Sequence, residues 1–162
     1  MTSEQLYTDQ LGHEHPIPDY LTPKKRVSCY AAIISNNKLL LVRQQWDHKL
    51  VFPGGKIDDE ETVKDALFRE VREEAGHELA SFSTIPFYVK NNHFFELDHK
   101  DYFESTMQYY FGQITHAKNA TPKDVNEIES IEWKPIEEIK EEQISQSQRE
   151  AYVALKQHLK NK

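Results

Sequence analysis

Residues 55–77 read GKIDDEETVKDALFREVREEAGH, and the spacing within this stretch decides the fold. Apolar residues recur there at three- and four-residue steps, which predicts a helix over residues 61–75. The predicted buried stripe consists of Val63, Ala66, Leu67, Val71 and Ala75. Glu70, Glu73 and Glu74 share a neighbouring face of the helix, because they stand at positions i, i+3 and i+4. The sequence therefore predicts one helix that carries a row of three carboxylates beside its apolar stripe.

The row of carboxylates needs a compensating positive charge, since like charges at this spacing destabilise a helix. Carboxylate oxygens are the ligands that Mg2+, Mn2+ and Ca2+ prefer, and no cysteine or histidine lies among the glutamates to indicate zinc. The Phe-Pro-Gly-Gly turn before the helix lets the backbone approach a ligand closely. We therefore expect the three glutamates, together with the Gly55 carbonyl group, to bind a divalent cation. Arg69 adjoins them and is expected to pair with a glutamate or to contact a phosphate.

The same stretch follows the pattern G-x5-E-x7-R-E-U-x-E-E-x-G-U, in which U is a bulky apolar residue. The matching residues are Gly55, Glu61, Arg69, Glu70, Val71, Glu73, Glu74 and Gly76. The segment therefore resembles the signature of the Nudix hydrolases, from which it departs only at His77, where an apolar residue normally packs. An acidic helix face is otherwise typical of a solvated surface, and the fixed spacing argues against that interpretation here.

The resemblance implies a fold, a reaction and a cofactor. The fold is an α/β/α sandwich with a mixed sheet and a catalytic loop and helix. The reaction is hydrolysis of a nucleoside diphosphate linked to a group X, which gives a nucleoside monophosphate and phospho-X. Mg2+, or Mn2+ in its place, serves such a reaction by neutralising phosphate oxygens and activating a water. The candidate catalytic residues are Glu61, Arg69, Glu70, Glu73 and Glu74.

Within this set the expected roles differ. Glu70 or Glu73 is the candidate base, in addition to binding metal with Glu74. Arg69 is expected to orient a glutamate, and Glu61 is expected to support the junction of the loop and the helix. A non-catalytic nucleotide sensor that retains the motif is the alternative to an enzyme.

A fourth metal ligand or a base is expected from outside the helix. Glu127 lies between a polar loop predicted at residues 116–126 and a strand predicted at residues 128–134. The Nudix resemblance places such a loop at the metal site, which makes Glu127 the candidate, although an exposed loop carboxylate is the alternative. Its competitors are Glu96, Asp98, Asp101 and Glu104.

The candidate substrate-binding residues are Trp46 and Arg43. The Trp46 indole can stack on a nucleobase, with packing or shielding of the loop as the alternative. Elements that mark other Nudix substrate classes are missing: no coenzyme A element precedes the signature, and Pro86 and Tyr88 follow it too closely. These absences favour nucleoside triphosphates, including oxidised ones. An RNA 5′ pyrophosphohydrolase is the alternative, and it would need a basic groove.

Composition predicts an N-terminal arm at residues 1–23 and a single domain at residues 24–162. The net charge of −7 argues against a general nucleic-acid surface, but metal ions can supply local positive charge for an anionic nucleotide. No apolar run approaches the roughly 20 residues that cross a bilayer, and no secretory signal is apparent. A cytoplasmic location is therefore the default expectation, and the proline-rich arm is a candidate homodimer contact.

The remaining elements follow from local patterns. Strands are predicted at residues 26–34, 38–43, 79–97 (interrupted near Asn91-Asn92), 103–115 and 128–134. Asp58 and Asp59 are expected to cap the central helix, and Ser147 with Glu150 to form a capping box for a final helix. The apolar face of that helix would carry Tyr152, Leu155 and Leu159. The single cysteine, Cys29, is expected to be buried, and the basic run at residues 24–26 is typical of a solvated strand start.

Overall fold

The computed structural model describes residues 4–115 and 126–162, in which one mixed sheet carries a helix on each face. The strands are β1 (Leu6–Thr8), β2 (Glu14–Pro16), β3 (Lys24–Ser35), β4 (Lys38–Gln44), β5 (Leu50–Val51), β6 (Gly54–Lys56), β7 (Leu79–Phe82), β8 (Tyr88–Glu96), β9 (Asp101–Ile114) and β10 (Ile128–Pro135). The helices are α1 (Val63–Ala75) and α2 (Arg149–Lys160), and short 3-10 turns at Ile136–Glu138, Glu141–Gln143 and Gln146–Gln148 precede α2.

The described strands follow the order β10-β4-β3-β9-β8-β1-β2. β3 and β9 run parallel at the centre, and β4 pairs with β3 only at Ile34 and Ser35. Further along the same side of β3, residues Ser28 to Tyr30 pair with β6 instead. The glycine turn is therefore built into the sheet at the point where β3 and β4 separate, and α1 follows directly from it.

Alternation along the strands divides the core between the two helices, as expected for a sheet covered on both faces. Cys29, Ala31 and Ile33 of β3 pack in the cluster that contains Leu67 of α1. Ala32 belongs instead to the cluster around Tyr109, Tyr152 and Leu155 on the α2 side. A fully buried leucine contributes about 2 kcal/mol by removal from water. The predicted α/β/α sandwich is confirmed.

Helix α1 begins two residues later than predicted and has a different cap. The Asp65 N–H donates to the Thr62 hydroxyl oxygen at 3.1 Å, and the Thr62 N–H donates to the Asp65 carboxylate at 3.2 Å. This capping box replaces the expected cap by Asp58 and Asp59, because Thr62 stands where its side chain reaches the first free N–H groups. Gly76 ends the helix with a left-handed φ of 64°.

Helix α2 lacks the capping box that was predicted for Ser147 and Glu150. The helix begins at Arg149, because the preceding residues form a 3-10 turn, and no side chain caps it. The Glu150 carboxylate accepts a hydrogen bond from the Tyr88 hydroxyl at 2.9 Å instead. The predicted apolar face is present, with Tyr152 and Leu155 buried.

The break in the strands after α1 lies elsewhere than predicted, whereas the burial of Cys29 is confirmed. The break predicted within residues 79–97 falls at residues 83–87, and Asn91-Asn92 lies inside the continuous strand β8. Cys29 is buried as predicted, and burial raises the pKa of its thiol to about 12.

The N-terminal arm predicted at residues 1–23 contains the strands β1 and β2, which form a hairpin. The Asp9 side chain, with no exposed surface, accepts the N–H groups of Leu11 at 2.8 Å and His13 at 3.0 Å. It also lies 2.7 Å from the Nε2 atom of His15. Thr8 then bridges to β8, so the hairpin extends the sheet at that edge.

Three expectations stay predictions. They are the homodimer, the division of the chain into an arm at residues 1–23 and a domain at residues 24–162, and the cytoplasmic location. Among the described residues, no helix has both the length and the apolar character to span a bilayer.

Candidate active site

Arg69 lies in the middle of α1, and its guanidinium holds three glutamates at once. Its Nε and Nη2 atoms donate to the two carboxylate oxygens of Glu61 at 2.8 and 2.9 Å. Its Nη1 atom donates to Glu70 at 2.9 Å and to Glu73 at 3.3 Å. Nη2 also donates to the Lys56 carbonyl at 3.1 Å, which ties α1 to β6. Arg69 thus supplies positive charge to Glu70 and Glu73. Of the two contacts expected for Arg69, one with a glutamate and one with a phosphate, the structure contains the contact with glutamate.

Glycine at position 55 makes room for the Glu70 carboxylate. A Cβ atom on Gly55 would lie 2.8 Å from the Glu70 Oε1 atom, closer than side chains allow. The Glu70 side chain is only 12% exposed, and this burial raises its pKa, against the opposing effect of Arg69. Glu70 therefore packs against the glycine turn. The Gly55 carbonyl group of this turn is the backbone group that the sequence predicts to bind metal.

Glu74 contacts the other glycine of the turn. Its Oε2 atom accepts the Gly54 N–H at 3.2 Å. Position 54 accommodates no side chain, because a Cβ atom there would lie 2.6 Å from the Tyr30 Cα atom. Glu74 thus bonds Gly54 and Glu70 packs beside Gly55, whereas the Glu73 side chain is 48% exposed.

The donors fit a hard divalent cation by their chemistry but do not form a preassembled cage. Within residues 4–115 and 126–162, no three histidine, cysteine, aspartate or glutamate side chains converge on a metal position. Arg69 holds Glu70 and Glu73, and Glu74 faces Gly54. Oxygen donors from one helix face lie beside a turn without side chains, which suits Mg2+ or Mn2+. Binding would require these carboxylates to turn, most easily the exposed Glu73.

Glu74 and Gly54 also line a cleft of about 1220 Å3. Its floor is formed by residues of β3 and β8, namely Arg26, Tyr30, Lys90, Asn92 and Phe94. Further sides come from the N-terminal hairpin, from residues 44–47, from residues 126–128 and from residues 145–149. The end of the carboxylate row therefore opens into a space large enough for a nucleotide.

Of the two predicted substrate-binding residues, the structure places one at the cleft and the other away from it. Trp46 lines the cleft, is 56% exposed and donates its indole N–H to the Gln44 side chain at 2.5 Å. Arg43 is not among the lining residues, since its guanidinium forms two hydrogen bonds with Glu132, at 2.6 and 2.9 Å. Arg43 also donates to the His48 carbonyl at 2.7 Å and so holds the loop that carries Trp46. Its substrate contact stays a prediction.

Glu127 lies at the cleft, and its role as a fourth metal ligand or base stays a prediction. It lines the same space as Glu74, and its carbonyl oxygen accepts the Gln45 N–H at 2.9 Å. Of its competitors, Glu96 and Asp98 also line the cleft, whereas Asp101 pairs with Lys24 at 2.9 Å. The exposed Glu104 does not line it. The loop predicted at residues 116–126 lies outside the described residues, except for Asn126.

Sequence reasoning missed the cleft floor. Arg26 was expected only to be solvated, Asn92 was expected only at a break in the strand, and Lys90 was not singled out, yet all three line the cleft. A usable signal was the alternation of Arg26, Ser28 and Tyr30, which puts three polar groups on one face of a largely apolar strand.

The NUDIX domain model matches residues 24–155. The chain belongs to the Nudix family. Nudix hydrolases generally use divalent metal ions.

Individual Nudix relatives are distant. The mRNA-decapping enzyme subunit 2 of Saccharomyces cerevisiae (strain YJM789) is 34% identical over 107 residues, which is 64% of this chain and 10% of that protein. The chain thus matches about a tenth of the length of this curated relative.

Solved structures show the same fold. A MutT NUDIX hydrolase from Burkholderia pseudomallei has a TM-score of 0.65 at 21% identity, covering 81% of this chain and 98% of its own. An ADP-ribose pyrophosphatase from Streptococcus suis 89-1591 has a TM-score of 0.54 at 22% identity, covering 73% and 78%.

The pairing of Glu61 with Arg69 leads to a pH-dependent prediction. Hydrogen bonds from Arg69 first, and from the Asp58 N–H second, lower the pKa of Glu61 from 4.5 to about 2. A depressed folded-state pKa stabilises the protein above pH 4.5, and this contribution is lost as the pH falls towards 2. We expect Glu61→Gln to lower the melting temperature at pH 7, and the difference from wild type to shrink between pH 4.5 and pH 2.

Thermal unfolding followed by circular dichroism at several pH values measures this difference. Other groups titrate in both proteins, so the difference isolates Glu61. A gap between the two melting temperatures that stays constant down to pH 2 would contradict the prediction.

Proposed function

We propose that this Nudix protein is a Mg2+-dependent hydrolase that cleaves NDP-X into a nucleoside monophosphate and phospho-X, with a preference for nucleoside triphosphates, including oxidised ones. The observation that carries this proposal is the junction of the carboxylate row with the cleft at Glu74 and Gly54. A phosphate held at that junction lies next to hard oxygen donors, while the rest of a nucleotide occupies the cleft.

The residues around the carboxylate row have different roles in this proposal. Glu70, Glu73, Glu74 and the Gly55 carbonyl hold the Mg2+ or Mn2+, which supplies charge neutralisation and an activated water when bound. Arg69 positions Glu70 and Glu73 through its hydrogen bonds, and Glu61 fixes Arg69. Glu127, which lines the same cleft as Glu74, is the proposed fourth ligand or base.

The base is proposed to be Glu70 or Glu73, and the two differ in environment. Burial raises the pKa of Glu70, which favours a carboxylate that takes up a proton from water. Glu73 is more exposed and adjusts its position more freely. Trp46, exposed within the cleft, is proposed to stack on the nucleobase.

The proposed reaction is tested by incubating the protein and Mg2+ with nucleoside triphosphates, 8-oxo-dGTP, ADP-ribose, diadenosine polyphosphates and nucleotide sugars. We expect nucleoside triphosphates to give a nucleoside monophosphate and pyrophosphate, identified by chromatography. Turnover of ADP-ribose or a nucleotide sugar without turnover of any triphosphate would overturn the substrate preference and leave the reaction class intact.

A second candidate is hydrolysis at an RNA 5′ end, which the likeness to the yeast decapping subunit favours. The net charge of −7 disfavours it, because a long RNA gains affinity from basic surfaces. Adding 5′-triphosphate RNA to the same panel decides between the two. Release of pyrophosphate from this RNA faster than from the matching free triphosphate would select the RNA reaction, whereas tight nucleotide binding without any turnover would indicate a sensor.

A further inference from the structure

The floor of the cleft brings together three polar side chains from distant parts of the sequence. Arg26 of β3 and Asn92 of β8 both pair with Ser105 of the intervening strand β9. Lys90 lies two residues from Asn92 on β8 and therefore points to the same face of the sheet. All three residues line the cleft that Glu74 enters.

The two cations on this floor are weakly paired. Within the part of the chain that the structure describes, Arg26 forms no ion pair, and its guanidinium lies 5.7 Å from the centre of the Phe103 ring. Lys90, whose side chain is 20% exposed, lies 3.8 Å from the Glu150 carboxylate. By contrast, Arg43, Arg69 and Arg72 each form two hydrogen bonds with one carboxylate. Arg26 and Lys90 thus keep hydrogen-bonding capacity for a ligand.

Asn92 adds an independent observation. Among the described residues its buried Oδ1 atom has no hydrogen-bond partner. Buried polar atoms in folded proteins are nearly always paired, so an unpaired one at a cleft wall indicates a polar ligand group. A phosphate oxygen cannot donate to Oδ1, but turning the Asn92 amide about its last side-chain bond exchanges this oxygen with the NH2 group, which donates to a phosphate oxygen.

The N-terminal hairpin closes this part of the cleft at the β8 edge. Leu6, Thr8 and Gln10 line the same space, and Thr8 bridges to Phe94. The hairpin precedes residues 24–155, the part that matches the NUDIX domain model. This side of the cleft is therefore built partly by a segment outside the family match.

We propose that Arg26, Lys90 and Asn92 form a subsite for a second phosphoryl group of the substrate, a phosphate or pyrophosphate beyond the bond that is cleaved. The proposal rests on the proposed function and sharpens it, because X must then be anionic. Two strand spacings and a two-residue step put the Cα atoms of Arg26 and Lys90 about 12 Å apart. Side chains of their length reach a pyrophosphate between them, and two positive charges match its negative ones.

The subsite is tested with inorganic pyrophosphate as the probe, titrated into the 162-residue protein with Mg2+ in a calorimeter. We expect Arg26→Gln and Lys90→Gln each to weaken pyrophosphate binding about tenfold. Lys25→Gln is the matched control, since Lys25 is exposed on the opposite face of the same strand, and it should bind as wild type does. Thermal unfolding verifies that each variant is folded, and Arg26→Met, which removes the charge and keeps an apolar chain beside Phe103, replaces Arg26→Gln if the latter is not.

Kinetic measurements distinguish a failure of the subsite proposal from a failure of the proposed function. With a nucleoside triphosphate we expect KM to rise about tenfold in both variants and kcat to stay within about threefold. Pyrophosphate binding and KM that match wild type in both folded variants would overturn the subsite, whatever the substrate. Weakened pyrophosphate binding in a protein that does not hydrolyse triphosphates would uphold the subsite and reject the proposed substrate.

Discussion

Replacing Glu74 with Gln is expected to reduce kcat by at least about 100-fold while the protein stays folded. Glu74 is the member of the carboxylate row that lines the cleft, and an amide is a much poorer ligand for a hard cation. The fold should survive, because the amide oxygen of Gln still accepts the Gly54 N–H. The variant therefore separates loss of metal-dependent chemistry from loss of structure.

The measurement is kcat as a function of Mg2+ concentration, with the melting temperature recorded for each variant. Glu78→Gln is the matched control. Glu78 follows the end of α1, pairs with Arg72 of that helix and does not line the cleft. This variant should keep kcat within about twofold. Near-normal turnover by folded Glu74→Gln would remove Glu74 from the metal site and shift that role to Glu70 and Glu73.

Local patterns predicted α1 well because both of its determinants are local. The apolar period fixes the buried face with Ala66, Leu67 and Val71, and the glycines fix the turn that precedes it. The cap was wrong because Asp58, Asp59 and Thr62 are all suitable residues, and only the path of the turn decides among them. Asp58 instead lies 3.5 Å from Arg69.

His77, the departure from the Nudix signature, shows how packing tolerates an unexpected residue. Its ring is almost fully buried and meets the Trp133 ring edge-on, with centroids 5.9 Å apart and planes at 77°. An imidazole has an aromatic face and edge, so it packs in this arrangement where an aliphatic side chain is typical. Despite this departure, α1 still ends at Gly76, and Glu70, Glu73 and Glu74 remain on the helix that the spacing predicts.

The cleft was beyond local patterns because pairing between distant strands creates it. Arg26 and Asn92 become neighbours only through β9, which pairs in parallel with β3 and antiparallel with β8. The N-terminal hairpin was missed for a related reason. Its strands have three residues each, and the buried Asp9 that orders its turn looks like any surface aspartate in the sequence.

Replacing Arg69 with Lys should have the second large effect, on both stability and activity. A lysine ammonium cannot reproduce the planar fork that bonds Glu61, Glu70 and Glu73 together. Glu70 is only 12% exposed and would lose its main partner, so we expect a loss of about 2 kcal/mol in unfolding free energy. This is less than a fully buried pair would lose, because Arg69 is 28% exposed. The melting temperature should fall by about 6 °C.

The same substitution at Arg72 is a stringent control. Arg72 lies on the same helix and bonds Glu78 at 2.7 and 2.9 Å, but both side chains are exposed. An exposed pair contributes little, so Arg72→Lys should change the unfolding free energy by no more than about 0.5 kcal/mol. We expect kcat to fall at least about tenfold in Arg69→Lys alone, because displaced glutamates no longer present oxygens to a cation. Equal melting temperatures and equal kcat for the two variants would show that Arg69 is an ordinary surface arginine, and that the carboxylates hold their positions without it.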